Sequence, residues 1–136
     1  MLRKVFVYGT LKRGMSNAGY IPDYVIETMC EATTKGKLYY VNGGTYPCLK
    51  LKGDNTIYGE LYSIKEKCWP IILKQMDELE GCPVLYERKK IYVNTPNGKE
   101  ECWAYIFKMD KFLGDEIQSG KFLGRQQKKN YTTYIF

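Results

Sequence analysis

The positions of the turn-forming residues constrain the fold of this chain more than any other feature of its sequence. Turn signals at residues 42–44, 53–55 and 96–98 divide much of the chain into short runs rich in β-branched and aromatic residues. Only residues 70–81 combine a proline suited to a first helical turn, a glycine suited to the position after a helix, and apolar residues at helical spacing. Many short strands around one good helix predict an α+β fold, with a mostly antiparallel sheet or a small barrel.

The runs between the turn signals are predicted as strands. The first run ends abruptly at Gly9, and residues 12–24 have the composition of a loop. Gly59 interrupts an alternating run and indicates either a bulge or the close approach of another backbone. The predicted strands are residues 5–8, 28–34, 36–40, 46–51, 57–64, 86–93 and 101–107.

Length and composition indicate one domain with an ordinary hydrophobic core. The chain has 136 residues, of which 44% are hydrophobic and 26% are charged. We expect a single domain over residues 1–136, in which residues 121–136 form a looser tail. No apolar stretch is long enough to cross a bilayer and no secretory signal is visible, so we expect a cytoplasmic protein without a membrane partner.

The cysteine and histidine counts exclude several kinds of site. The five cysteines are dispersed and include no C-x-x-C pair, which disfavours disulfides or a zinc site and predicts reduced, mostly buried thiols. Because the sequence has no histidine, Ser-His and Cys-His nucleophile pairs and histidine metal ligands are excluded. We therefore expect no metal, and any proton transfer has to use a carboxylate, a lysine, a tyrosine or a backbone dipole.

Nucleotide and nucleic-acid binding are the least favoured functions. The net charge is +6, but the basic residues are spread along the chain and form only one modest cluster, at residues 125–129, so we expect no nucleic-acid partner. Gly9, Gly14 and Ser16 have the spacing of the phosphate-binding pattern G-x-x-x-x-G-K-[ST]. Met15 replaces the lysine that would neutralise the phosphates, and no convincing helix pattern follows.

A narrower interpretation of the same loop has two alternatives. A strand that ends in Gly9 can turn the next backbone N–H groups outward and form a nest for a carboxylate or an oxyanion. The alternative is a plain turn that starts at the glycine and binds nothing.

Most of the 13 tyrosines are expected to be packing residues. Tyr8, beside the loop, and Tyr86 are the two that we expect to face a pocket.

A second candidate site lies at the end of the predicted helix. Residues 76–81, M-D-E-L-E-G, place three carboxylates where the helix dipole disfavours negative charge. Glu80 shares with Leu73 and Met76 the spacing of one helix face, which is the apolar one. A carboxylate there, near Asp77 and the negative helix end, is expected to have a raised pKa, as a general acid or base near neutrality requires. The alternative is a helix-end glutamate that reaches water.

Together, these two sites resemble those of the gamma-glutamylcyclotransferase-like family. The resemblance rests on motifs that follow one another in order: V-Y-G-T-L-K-R-G at 7–14, G-x-L-Y at 36–39, Tyr46-Pro47, I-x-G-E-L-Y at 57–62, M-D-x-L-E-G at 76–81 and Y-x-R at 86–88. It implies a small mixed, mostly antiparallel β-barrel flanked by helices. Cys82-Pro83, together with Tyr86, is most similar to the gamma-glutamylamine cyclotransferase branch.

The resemblance also implies a site and a reaction. The family's substrate-binding loop falls on Tyr8, Gly9, Thr10 and Leu11, with Tyr86 as a further binding residue. Glu80 matches the family's acid/base glutamate. The implied enzyme converts a small γ-glutamyl substrate into 5-oxoproline and a free amine, by attack of the substrate's α-amine on its own γ-carbonyl. This reaction needs no metal, cofactor or covalent intermediate. The alternative is a binding module of the same fold that holds an amino-acid-like ligand without turnover.

Overall fold

The structure, a computed structural model, describes residues 1–125, which form six strands and one α-helix. The strands are Lys4–Val7 (β1), Ile26–Val41 (β2), Pro47–Ile64 (β3), Tyr86–Thr95 (β4), Gly98–Phe107 (β5) and Leu113–Glu116 (β6). The helix is Trp69–Leu79 (α1). Short 3-10 turns cover Ala18–Tyr20, Asp23–Val25, Glu66–Cys68 and Asp110–Phe112.

Five of these strands close into a barrel. β3 pairs antiparallel with both β1 and β2, and β4 pairs antiparallel with β5 and, where Thr33 lies opposite Asn94, with β2. Parallel pairing of β1 with β5, where Val5 lies opposite Trp103, completes the ring. β3 makes a second parallel contact with β5, and β6 pairs with β2. The prediction of an α+β fold with a mixed, mostly antiparallel barrel is confirmed.

β2 and β3 form one long hairpin, which corrects the strand prediction. The four runs predicted between residues 28 and 64 are only two strands. The register on β3 jumps from Asn55 to Lys50 while β2 advances by one residue, so residues 51–54 bulge out of the ladder and are exposed. The turn predicted at 53–55 is wrong, because Gly53 and Asp54 belong to this bulge and Asn55 pairs with Gly36 on β2.

The hydrophobic core has two clusters, one on each face of β1. Val5 and Val7 belong to the first cluster and Phe6 to the second, as the alternation of a strand requires. Helix α1 packs against the first cluster through Ile72 and Met76, which lie one turn apart and are buried. Burial of each of these side chains contributes about 1.5–3 kcal/mol, which fixes the helix on the barrel.

The ends of α1 agree with the sequence prediction to within two residues. Pro70 lies in the first turn. Gly81 follows the last turn with a φ of +62°, a left-handed conformation that favours glycine. No helix within residues 1–125 has the length and apolar composition needed to span a membrane.

The predicted tail begins inside the packed structure. Residues 121–125 have no regular secondary structure, but Phe122 is only 1% exposed and packs in the second core cluster. The Lys12 ammonium donates a hydrogen bond to the Phe122 carbonyl at 2.8 Å. Most of the predicted basic cluster at 125–129, and the rest of the tail, lie outside the described residues.

Candidate active site

A cavity of about 290 Å³ lies where strand β1 ends. Its volume is close to the lower limit of about 300 Å³ for small-molecule sites, so it suits a group of amino-acid size. All the residues that the sequence singled out as site residues line it: Tyr8, Gly9, Thr10, Leu11, Glu80 and Tyr86. The two candidate sites, about seventy residues apart in the sequence, are therefore walls of one cavity.

The loop at the end of β1 is a tight turn pressed against β3. The Lys12 N–H donates to the Gly9 carbonyl at 3.1 Å and closes the turn. Gly9 lies so close to Pro47 that a Cβ at this position would be 2.5 Å from the Pro47 Cγ atom. A glycine is needed here because of this close approach, since any side chain would displace Pro47 from the cavity wall.

Two backbone N–H groups of the turn have no acceptor in the part of the chain that the structure describes. No hydrogen bond from the Thr10 or Leu11 N–H is found among residues 1–125, although Leu11 is only 4% exposed. Buried N–H groups such as that of Leu11 are nearly always paired, so it and the half-buried Thr10 N–H are suited to a ligand oxygen or a water molecule. Asn17 holds the turn in place. Its N–H donates to the Thr10 carbonyl at 2.9 Å, and its Nδ2 donates to Thr10 Oγ1 at 3.0 Å.

Arg13 fixes the longer segment that follows the turn. Its guanidinium donates to the Asp23 carboxylate at 2.8 Å and to the carbonyls of Ala18 and Ile21 at 3.0 and 2.6 Å. Its backbone N–H donates to Glu60 Oε1 on β3 at 2.8 Å. The region that the sequence predicted only as a loop therefore has a defined position beside the cavity.

Glu80 is the one charged side chain that lines the cavity among the described residues. It follows the last residue of α1, and its N–H donates to the Met76 carbonyl at 2.9 Å. No hydrogen bond or ion pair to its carboxylate is found within residues 1–125. Burial raises the pKa of this carboxyl from 4.5 to about 7. The group therefore changes its charge near neutrality.

Asp77 is not a cause of the raised pKa of Glu80, contrary to the sequence expectation. Its carboxylate is held by two partners on the barrel instead. The Tyr105 hydroxyl donates to Asp77 Oδ1 at 2.6 Å, and Arg88 Nε donates to the same oxygen at 3.2 Å. Arg88 also lies over the Trp103 ring at 4.9 Å. These contacts tie the end of α1 to β4 and β5, and so fix the position of Glu80.

Three buried tyrosines line the cavity, and each hydroxyl already donates to a protein oxygen. Tyr8 donates to the Tyr105 carbonyl at 2.6 Å, Tyr86 to the Pro47 carbonyl at 3.0 Å, and Tyr105 to Asp77. Burial raises the pKa of all three phenols above their ordinary value of 10. The three phenols are therefore neutral at physiological pH and shape the cavity wall. Glu80 is the group in the cavity lining that changes its charge near neutrality.

Sequence reasoning missed part of the cavity wall. Tyr105 and Asn17 both line it, and so do Tyr46 and Pro47. Tyr46-Pro47 belongs to one of the motifs that carry the family resemblance, and this was a usable signal. Nothing in the sequence singled out Tyr105, because strand alternation identifies a buried face without indicating which strand end borders a cavity.

The geometry does not fit a phosphate-binding loop. Such a loop leads into a helix whose N-terminus faces the phosphates. Here Ser16 is followed by two short 3-10 turns, Ala18–Tyr20 and Asp23–Val25, and then by strand β2. Met15, at the position of the missing lysine, is partly buried and packs against the second core cluster.

Residues 5–124 match the family described as "Gamma-glutamyl cyclotransferase, AIG2-like". A candidate gamma-glutamylcyclotransferase of Vibrio cholerae is 36% identical over 125 residues, which cover 92% of this chain and 99% of that protein. The gamma-glutamylaminecyclotransferase of Bos taurus is 30% identical over 119 residues, which cover 76% of this chain and 65% of that protein.

A solved structure shows the same fold. The AIG2-like protein of Mus musculus has a TM-score of 0.70 to this chain at 23% identity, over 95% of this chain and 98% of that one. The match of residues 5–124 to the family and the sequence identity of 30–36% to the two relatives together establish family membership. The chain belongs to the gamma-glutamyl cyclotransferase, AIG2-like family and is a cyclotransferase.

Proposed function

We propose that this protein releases 5-oxoproline and a free amine from a small γ-glutamyl substrate. One observation carries the proposal: Glu80, whose carboxyl pKa burial raises to about 7, lines the same cavity as Thr10 and Leu11, whose N–H groups have no acceptor within residues 1–125. The names of the relatives support a γ-glutamyl compound as the substrate class. We assign Tyr8, Gly9 and Tyr86 to substrate binding.

Glu80 is the proton carrier in this reaction. Its carboxylate takes a proton from the substrate's α-ammonium, and the freed lone pair attacks the γ-carbonyl carbon. The new N–C bond closes the five-membered ring, and the γ-oxygen becomes an oxyanion. The bond from the γ-carbon to the leaving nitrogen then breaks while protonated Glu80 donates its proton to that nitrogen. The ring nitrogen, which still carries two protons, releases one of them to solvent. The free amine takes up a proton from solvent.

The loop after β1 supplies the electrostatic part of the site. The N–H groups of Thr10 and Leu11 bind the substrate and offset the negative charge that develops on the γ-oxygen. Removal of one such donor from other enzymes lowers kcat about 10²–10³-fold. The nucleophile and the electrophile belong to one molecule, so their effective concentration is high without a covalent enzyme intermediate.

A panel of γ-glutamyl amides tests the proposal, with 5-oxoproline measured directly. The wild type is expected to release 5-oxoproline, and Glu80→Gln to lose about 10²–10⁴-fold in kcat, the usual contribution of a general acid–base group. Glu66→Gln removes the same charge from an exposed residue that does not line the cavity, and it should retain activity.

Two results would contradict the proposal. Undiminished 5-oxoproline release by Glu80→Gln would show that another group carries the proton. No release from any amide, together with thermal stabilisation by 5-oxoproline or glutamate, would indicate a binding module instead.

A further inference from the structure

A second depression adjoins the cavity that contains Glu80. Its volume is about 560 Å³, and it lies between the 3-10 turn Ala18–Tyr20 and the outer face of α1. We call it the outer groove, and it is lined by Ser16, Gly19, Tyr20, Gln75, Glu78 and Leu79. Ser16 and Leu79 also line the first cavity, so the two spaces lie side by side.

The position of Glu80 directs the leaving group toward this groove. The first cavity, of about 290 Å³, suits a group of amino-acid size, so we expect a long substituent on the leaving nitrogen to extend beyond it. That nitrogen must lie within hydrogen-bond reach of Glu80 to receive its proton. Leu79 precedes Glu80 in the chain and borders both spaces, so the outer groove adjoins the point at which this nitrogen receives its proton.

The outer groove has an acidic character that the chain as a whole does not have. The sequence has 21 lysines and arginines against 15 aspartates and glutamates. Among the described residues, however, Glu78 is the one charged side chain in the groove lining. Within residues 1–125 its exposed carboxylate has no ion pair, and Lys74, one turn earlier on α1, does not line the groove.

The remaining lining residues suit a flexible chain that ends in a cation. Gln75 and Ser16 offer neutral hydrogen-bonding groups beside the carboxylate. The Tyr20 ring is 43% exposed and can pack against methylene groups or an ammonium ion. No lining group among the described residues offers a positive charge to an anionic leaving group.

We propose that the outer groove is the subsite for the leaving amine, and that Glu78 selects amines carrying a second positive charge. The inference rests on the proposed function, since a leaving group exists only if the γ-glutamyl amide is cleaved. The substrates favoured are γ-glutamyl amides of diamines. Neutral amines are less favoured, and amines that carry a carboxylate are least favoured.

Three matched substrates test the groove: the γ-glutamyl amides of cadaverine, pentylamine and δ-aminovalerate. Their leaving groups have similar chains that end in an ammonium, a methyl or a carboxylate group. In the wild type, kcat/KM should fall in that order. Glu78→Gln should lower the ratio of the ammonium to the methyl substrate about two- to fivefold, the range expected for an exposed ion pair. Glu78→Lys should place the carboxylate substrate above the ammonium substrate, and Glu66→Gln should keep the wild-type order.

The outcomes separate this inference from the proposed function. Equal kcat/KM for the three substrates, or an ammonium preference that survives Glu78→Lys, would overturn the role of the groove and leave the cyclotransferase reaction intact. If no substrate yields 5-oxoproline, the proposed function fails. Calorimetric binding of the same three compounds to Glu80→Gln then decides on the groove: the predicted order supports it and equal affinities overturn it.

Discussion

Glu80 differs from its neighbours at the end of α1 because it lines a cavity in which the described residues place no other charged side chain. Asp77 is paired with Arg88, and Glu78 is exposed. Burial of the Glu80 carboxyl raises its pKa to about 7. Ionisation of this group is unfavourable in the folded protein, which makes it both a base near neutrality and a cost to stability.

The stability of Glu80→Gln should depend on pH in a defined way. The folded-state pKa of about 7 exceeds the ordinary value of 4.5, so the contribution of Glu80 to wild-type stability falls as pH rises through this window and is level above it. From the low to the high end of this window, the contribution of Glu80 to the free energy of unfolding falls by about 3 kcal/mol. Glu80→Gln lacks this titrating group and does not lose stability in this way. Urea unfolding of both proteins at about pH 5 and pH 8 measures their free energies of unfolding. Relative to wild type, the variant should gain stability between these values, and an equal difference at both would contradict the burial of Glu80.

Helical spacing was sufficient to predict that Glu80 lies on a buried face. Its spacing from Leu73 and Met76 placed it on the apolar side of α1, and Met76 is fully buried. The partner of Asp77 was not predictable, because Arg88 and Tyr105 reach it from strands whose position relative to the helix is a long-range property.

Strand β1 packs against β3 because residue 59 has no side chain. A Cβ on Gly59 would lie 2.4 Å from the Val7 carbonyl oxygen and 2.7 Å from Phe6 Cε1. The sequence indicated either a bulge or a close backbone approach at this glycine, and the structure shows the close approach. β1 carries the turn that lines the cavity, so this contact also supports the site.

Gly59→Ala should therefore destabilise the protein. Overpacking of this kind typically costs about 1–3 kcal/mol, because β1 or the Phe6 ring has to shift. Gly19→Ala is the matched control, since a Cβ there meets no atom within 4 Å. Chemical denaturation of both variants measures the effect, and equal stabilities would contradict the packing of β1 on β3.

Element type was more predictable than element length. The helix was found from Pro70, Gly81 and the apolar spacing between them, all of which act locally. The strands of the long hairpin were divided wrongly, because glycine and polar residues such as those at 51–54 are typical both of a turn and of a bulge. Only the pairing partner, β2, decides between the two.

Barrel closure brings the two halves of the site together at the scale of the whole molecule. The parallel contacts of β5 with β1 and β3 join strands that are far apart in sequence, and Tyr105 on β5 then meets both Tyr8 and Asp77. Local patterns carry no information on such pairings. The order of the family motifs along the chain was the feature of the sequence that predicted the barrel.

The pH dependence of kcat/KM for 5-oxoproline release tests most directly whether Glu80 accepts the substrate's proton. The base has to be ionised in the free enzyme, and burial places its pKa at about 7. Below that pH, kcat/KM should fall about tenfold per pH unit, and it should level off just above it. A rate that stays constant between about pH 5 and pH 8 would contradict the role of Glu80 as the general base.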